Sequence, residues 1–228
     1  MLPGPCPDCF SAAGRACYHR ARKTLLFSIT YLIVKTMKKS TTVEKIKAPE
    51  LITSGWLNTP QSITLASLRG KVVLMHAFQM LCPGCVQQGI PQTQRIFDEF
   101  DPDRVAVIGL HTVFEHHEVM GRDALEVFAY EYRLRFPIGI DKPNEQHSIP
   151  HTMMTYHMQG TPTTILVDKT GHLRLHKFGH VSDLLLGVSI GTLLAEEVSD
   201  EELATSSAGS TAGKLDAQPG CDEDGCRV

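Results

Sequence analysis

The chain has 228 residues, 42% of them hydrophobic, which is enough for one well-buried core with flanking segments. Its formal net charge is −3, with basic residues gathered before residue 48 and acidic ones after residue 198, so the centre has no basic excess of the kind that binds nucleic acid. The seven cysteines fall into three local groups, and the odd total argues against a secreted disulfide scaffold.

The first 46 residues read as an N-terminal extension. Within "RARKTLLFSITYLIVKTMKKS" the apolar run Leu25–Val34 is too short to span a bilayer, which takes about 20 residues. Lys35, Lys38 and Lys39 stand where a signal peptide would place small residues for cleavage. Met37 opens an ordinary soluble beginning, "MKKSTTVEKIKAPEL", and is expected to be the true start, which implies a cytoplasmic protein. If Leu25–Val34 is instead translated, the alternative is a membrane-associated or periplasmic one. The zinc-like spacing around Cys6, Cys9, Cys17 and His19 carries little weight beside that reading.

In chain order, Ser62–Leu68 alternates weakly and ends at the turn "RGK". Val72–Phe78 is an apolar run that predicts a buried strand. From Pro83 to about Phe100 the apolar spacing predicts a helix, with Pro91 as its kink. A second buried strand is predicted at 104–111, a helix within 116–135 and a short strand in "FPIGID". "TPTTILVD" and "HLRLHKFG" predict two strands about the turn "KTG", and Val181–Val198 predicts a closing helix. After Glu202 the composition turns to Ser, Ala, Gly, Thr and acids, as in a flexible tail. The expected organisation is therefore an α/β domain over 47–198, with a central mixed sheet flanked by helices on both faces, and a tail over 199–228.

Cys82-Pro83-Gly84-Cys85 falls at the carboxyl end of a strand and the start of a helix, where α/β sheets place their chemistry. Unpaired N–H groups and the positive end of the helix dipole stabilise a thiolate there. Cys82 takes the cap position, Pro83 suits the first helical position, and Cys85 follows one turn later. The expected chemistry is dithiol exchange, with Cys82 attacking and Cys85 resolving. Zinc binding and a structural bridge remain as alternatives. No second close Cys/His pair completes a four-ligand site, and a bridge across two residues would constrain almost no chain.

The segments "LASLRGKVVLMHAFQMLCPGCVQQGIP" and "GTPTTILVDKTGHL", with the final helix, resemble the thioredoxin-fold redoxins, especially the TlpA-like and AhpC-TSA (peroxiredoxin-like) branch. The resemblance covers roughly 47–198. It implies that Pro162 is cis and faces the dithiol, with Thr161 beside it shaping substrate docking. It also implies protein disulfide or dithiol clients, a partner protein acting as reductant or oxidant, and no cofactor. The chain departs from the family pattern in several places. Leu81 replaces the tryptophan usual before the first cysteine, and His76 stands where thioredoxins keep a buried acid. His76 is a candidate to shuttle the proton of Cys85, against the plainer reading of a core histidine. Gln88 stands in place of a glutamate, and Pro91 comes one residue later than the helix proline. A peroxidase is the runner-up activity, but Met75 and Gln79 occupy the positions of the proline and threonine that activate peroxide in peroxiredoxins.

His111, His116, His117, His147, His151 and His157 gather near the carboxyl end of the expected sheet, and are read as loop polar residues rather than metal ligands. A metallochaperone using Cys82 and Cys85 with histidines, or a redox-inert interaction module, stays open as a non-enzyme reading. Met153, Met154 and Met158 are read as core filling or an adaptable docking surface. Cys221 and Cys226, in the acidic tail, form a possible auxiliary dithiol that exchanges electrons with Cys82–Cys85 or captures soft metal, against a dispensable tail.

Overall fold

The computed structural model describes residues 46–199 and Leu203. The expectations about Leu25–Val34, Met37, Cys221 and Cys226 lie outside these residues. Among the described residues, no helix is long and apolar enough to cross a membrane.

Six strands form one sheet in the order β1-β4-β3-β2-β5-β6. They are β1 (Thr53–Leu57), β2 (Val72–Phe78), β3 (Val105–His111), β4 (Ile138–Asp141), β5 (Thr163–Val167) and β6 (Leu173–Phe178). Strands β2, β3 and β4 are parallel, while β1, β5 and β6 pair antiparallel to their neighbours. The helices are α1 (Ile90–Glu99), α2 (Arg122–Glu131), α3 (His151–Thr155) and α4 (Asp183–Ala195).

All seven residues of β2 are buried because both faces of the sheet are covered, which is why this strand reads as an unbroken apolar run. On one face, Val72, Leu74 and Phe78 pack with Ile90 and Ile96 of α1, Leu125 of α2 and Leu186 and Ile190 of α4. On the other, Val73, Met75 and Ala77 pack with Leu65, Met153, Tyr156 and Met158. Met153 and Met158 are thus core, and Met154 is the partly exposed member of that trio.

Four local details go beyond the sequence reading. Within the weakly alternating 62–68, Leu65–Leu68 is a 3-10 turn capped by Thr64, and the Glu50 carboxylate accepts the N–H groups of Leu65 and Ala66 at 2.8 Å. Strand β1 had no sequence signal of its own, and its Trp56 packs edge-on to Gly139 of β4. Helix α3 was likewise unforeseen; the buried Asp141 carboxylate accepts from Thr152 N (2.8 Å), Met153 N (2.9 Å) and Thr112 Oγ1 (2.9 Å), supplying the cap its own sequence lacks. The helix expected within 116–135 is shortened to α2, because His116 and Arg133 both turn left-handed, with φ near 51°.

Candidate active site

Strand β2 ends at Phe78, and the chain turns through Gln79–Leu81 into a helical run that starts at Pro83. Cys82 caps that run as expected: its sulfur accepts the N–H of Cys85 at 3.2 Å, and its carbonyl accepts Val86 N at 3.1 Å. Cys82 is half-buried, whereas Cys85 is fully buried, and both thiols are free. This asymmetry makes one sulfur reachable and shields the other.

The electrostatics follow the same division. A hydrogen bond from the Cys85 side chain draws the Cys82 thiol down to about 6, against the upward push of burial; Thr161 and the N–H groups of Cys85 and Gly84 add to the lowering. The Cys85 thiol is driven well above the ordinary range, first by its bond to Cys82 and then by burial. At neutral pH the dithiol therefore holds one negative charge, on the exposed sulfur.

The loop before β5 completes the mouth of the site. The Thr161-Pro162 bond is cis, as the resemblance implied. The Cys82 sulfur lies 3.5 Å from the Thr161 carbonyl oxygen, so residues 79 apart in the chain meet at the reactive atom. Pro162 stands close to Gly84, where a Cβ would come to 3.4 Å from the proline Cδ. Gly179 N donates to the Pro162 carbonyl at 2.8 Å, tying the loop to the end of β6. Leu81, next to Cys82 in the chain, is 59% exposed, and Phe178, whose ring lies beside Gly160, is 46% exposed.

His76 sits in the middle of β2 between Gly109 of β3 and Thr164 of β5. By strand alternation it faces the same side as Leu74 and Phe78, the side that also buries Cys85. Its Nε2 has no hydrogen-bond partner, and burial holds its pKa down at about 4, so the ring is neutral. It lies beneath the helical run, against Gly89.

Gln79, read from the sequence only as the residue in place of the peroxiredoxin threonine, is buried, accepts Phe114 N at 3.3 Å, donates toward Glu115 and gives its backbone carbonyl to Cys82 N at 3.3 Å. Gly89 escaped the sequence reading, and only its place just before Ile90-Pro91 could have marked it. The histidines disperse: His111 is buried in the core, while His116, His117, His147 and His157 are exposed. Among the described residues, no group of three or more His, Cys, Asp or Glu could hold a metal ion.

The profile of the AhpC/TSA family matches residues 45–176. Protein DipZ of Mycobacterium bovis is 35% identical over 129 residues, covering 55% of this chain and 17% of that protein. The sporulation thiol-disulfide oxidoreductase A of Bacillus subtilis is 26% identical over 111 residues, covering 49% of this chain and 61% of the other. The chain thus matches only a small part of the first and about three-fifths of the second. Among solved structures, a thioredoxin-like superfamily protein is 54% identical with a TM-score of 0.66, over 68% of this chain and 99% of that one. A thiol-disulfide isomerase from Corynebacterium glutamicum is 47% identical with a TM-score of 0.64, over 66% and 98%. The fold is thioredoxin-like.

Proposed function

The chain belongs to the AhpC/TSA family, and from that premise we propose that it is a thiol–disulfide oxidoreductase working through Cys82 and Cys85. The observation that carries this reading is the helix-start dithiol, with a half-exposed sulfur of lowered pKa and a buried partner one turn on. Two relatives named for thiol–disulfide chemistry support it.

In the reducing direction, the Cys82 thiolate attacks one sulfur of a client disulfide. A Cys82–client bond forms, and the client's other sulfur leaves as a thiolate that takes a proton from solvent. Cys85 then gives up its proton, for which His76, on the same side of the sheet, is the candidate acceptor, and attacks the Cys82 sulfur. The client is released with both sulfurs reduced, and Cys82–Cys85 is left as a disulfide holding the two-electron loss. A partner dithiol restores it, and the same steps run backwards oxidise a client. Thr161 and Pro162 form the wall against which an extended client segment lies, and Leu81 gives that wall an apolar rim. The unit assigned to this chemistry is 47–198.

Insulin-type disulfide reduction with the full chain tests the reading. Cys82→Ser should abolish turnover, and Cys85→Ser should accumulate mixed disulfides with clients; equal residual activity in the two variants would overturn the roles. The family name also admits a thiol peroxidase. Against it, the Gln79 side chain is occupied by Phe114 and Glu115, and Met75 is fully buried on the face away from Cys85, so neither offers a hydroxyl to a peroxide. Peroxide consumption dependent on Cys82 but faster than disulfide exchange would favour that second activity.

A further inference from the structure

Helix α4 carries no charged side chain from Leu184 to Ala195. Its inner stripe, Leu186, Ile190 and Leu193, is buried against the sheet. A second stripe runs along the opposite side, where Leu184, Val188, Gly191 and Ala195 follow at steps of four, three and four residues and so share one face. Leu184 is 79% exposed and Val188 59%, with Leu185 at their flank 51% exposed. A helix that is apolar on every side is normally buried on every side, and an exposed apolar patch with a polar rim marks a contact surface.

The glycines on this side have no explanation inside the chain. Gly187 and Gly191 sit within the helix, where glycine is less favourable than alanine, yet nothing lies within 4 Å of the place a Cβ would take at either. What they do supply is a shallow stretch of helix surface that a second backbone can approach closely.

The face complements itself. When two copies meet with their α4 helices antiparallel about a twofold axis, Leu184 faces Ala195 of the second copy and Val188 faces its Gly191, a large side chain against a small one at each step. Parallel helices would instead set leucine on leucine and glycine on glycine. The charges favour the same arrangement. At the amino end of α4, Arg95 and His180 stand beside the single acid Asp183. At the carboxyl end, Glu196 and Glu197 open a run of five acids over residues 196–202, and Arg174 pairs with Glu196. Antiparallel pairing sets the basic end on the acidic one and opposes the two helix dipoles, whereas parallel pairing brings the acids together. The same acids make this face a poor match for an anionic lipid surface.

We propose that the outer face of α4 is a self-association surface on which a second copy of the chain seats its own α4 antiparallel, Val188 against Gly191 and Leu184 against Ala195. A helix of 13 residues is about 20 Å long, too short to bury the roughly 800 Å² per partner of a standard interface, so the dimer is a reversible one that depends on concentration. This inference is independent of the oxidoreductase reading.

Sedimentation velocity of the full chain in excess reductant, which removes any disulfide-linked dimer, reads the association over about 1–100 µM, where small interfaces exchange. The average mass should climb from that of one chain toward that of two. Gly191→Leu and Val188→Asp should each weaken the dimer by about tenfold or more, and both should keep the wild-type circular dichroism because these positions are open in the single chain. Gly191→Ala should raise the Tm and still weaken the dimer, a pair of shifts that packing within one chain does not produce. Glu197→Arg should weaken the dimer several-fold, and Arg95→Glu added to it should restore part of the loss. Strengthening by Glu197→Arg would mean parallel helices and overturn the proposal. A chain that stays monomeric across the range would overturn it too, leaving the face to another segment of the same chain or to lipid. So would a dimer that Gly191→Leu and Val188→Asp leave intact, because it then forms elsewhere on the molecule.

Discussion

The Thr161 carbonyl oxygen lies 3.5 Å from the Cys82 sulfur, and the Cys85 N–H points at the same atom from 3.2 Å. A thiol can donate to the carbonyl, but only a thiolate gains from the N–H and from the neighbouring Cys85 thiol. The protonation state of Cys82 therefore decides which of these contacts holds it.

That balance predicts the titration of Cys82. Its thiolate absorbance, or its alkylation rate, should rise with a midpoint near pH 6. The hydrogen bond from the Cys85 side chain is the largest cause, so Cys85→Ala should move the midpoint up further than Thr161→Val does. A larger effect of Thr161→Val would mean that the loop, not the dithiol, sets the charge.

The reduction potential should follow. A thiolate stabilised in the reduced protein favours the dithiol and makes the disulfide a better oxidant. With Cys82 near 6, between the pKa values of about 7 and 3.5 for thioredoxin and DsbA, the potential should fall between their values of about −270 and −120 mV. Equilibration with glutathione measures it, and a value below thioredoxin's would contradict the stabilised thiolate.

The central strands β2, β3 and β5 were legible because burial on both faces leaves an unbroken apolar run, Cys82 and Cys85 because their chemistry depends on spacing along the chain, and Pro162 only through the family resemblance. Strand β1 was not, since its short TSGWL segment buries only Trp56 and Leu57 and finds its partner some 80 residues later. Helix α3 was hidden for a related reason: its cap is a carboxylate from another strand. Gly89 was unreadable because its constraint comes from a ring on β2, and neither segment alone records that contact.

The cap of α3 gives a stability prediction. Asp141→Ala removes three hydrogen bonds at a buried carboxylate and leaves two backbone N–H groups without a partner. At about 1–3 kcal/mol for each unsatisfied buried group, a loss of roughly 3 kcal/mol or more is expected by urea unfolding. Asp141→Asn, which keeps an acceptor, should lose clearly less. Equal losses would mean that volume, not the cap, matters at this position.

The two buried imidazoles on the α1 side of the sheet predict how stability depends on pH. His76 and His111 flank Phe78, both have an unpartnered Nε2, and burial lowers both to about 4 from the ordinary imidazole value of 6.5. Their folded values lie below the unfolded one, so on acidification the unfolded chain binds protons first. The contribution is present in full above about pH 6.5 and is lost as pH falls toward 4. By pH 5 each histidine should cost about 2 kcal/mol relative to neutral pH. The lowered pKa of Cys82 acts in the same direction near pH 6, so the measurement belongs in a Cys82→Ser background, where that thiol is gone. Urea unfolding at pH 7 and pH 5 should show His76→Leu and His111→Leu each removing a similar part of the acid loss, with the double variant removing both parts. An acid loss unchanged in the double variant would show that neither ring is kept neutral by burial, and the proton-accepting role of His76 would lose its physical basis.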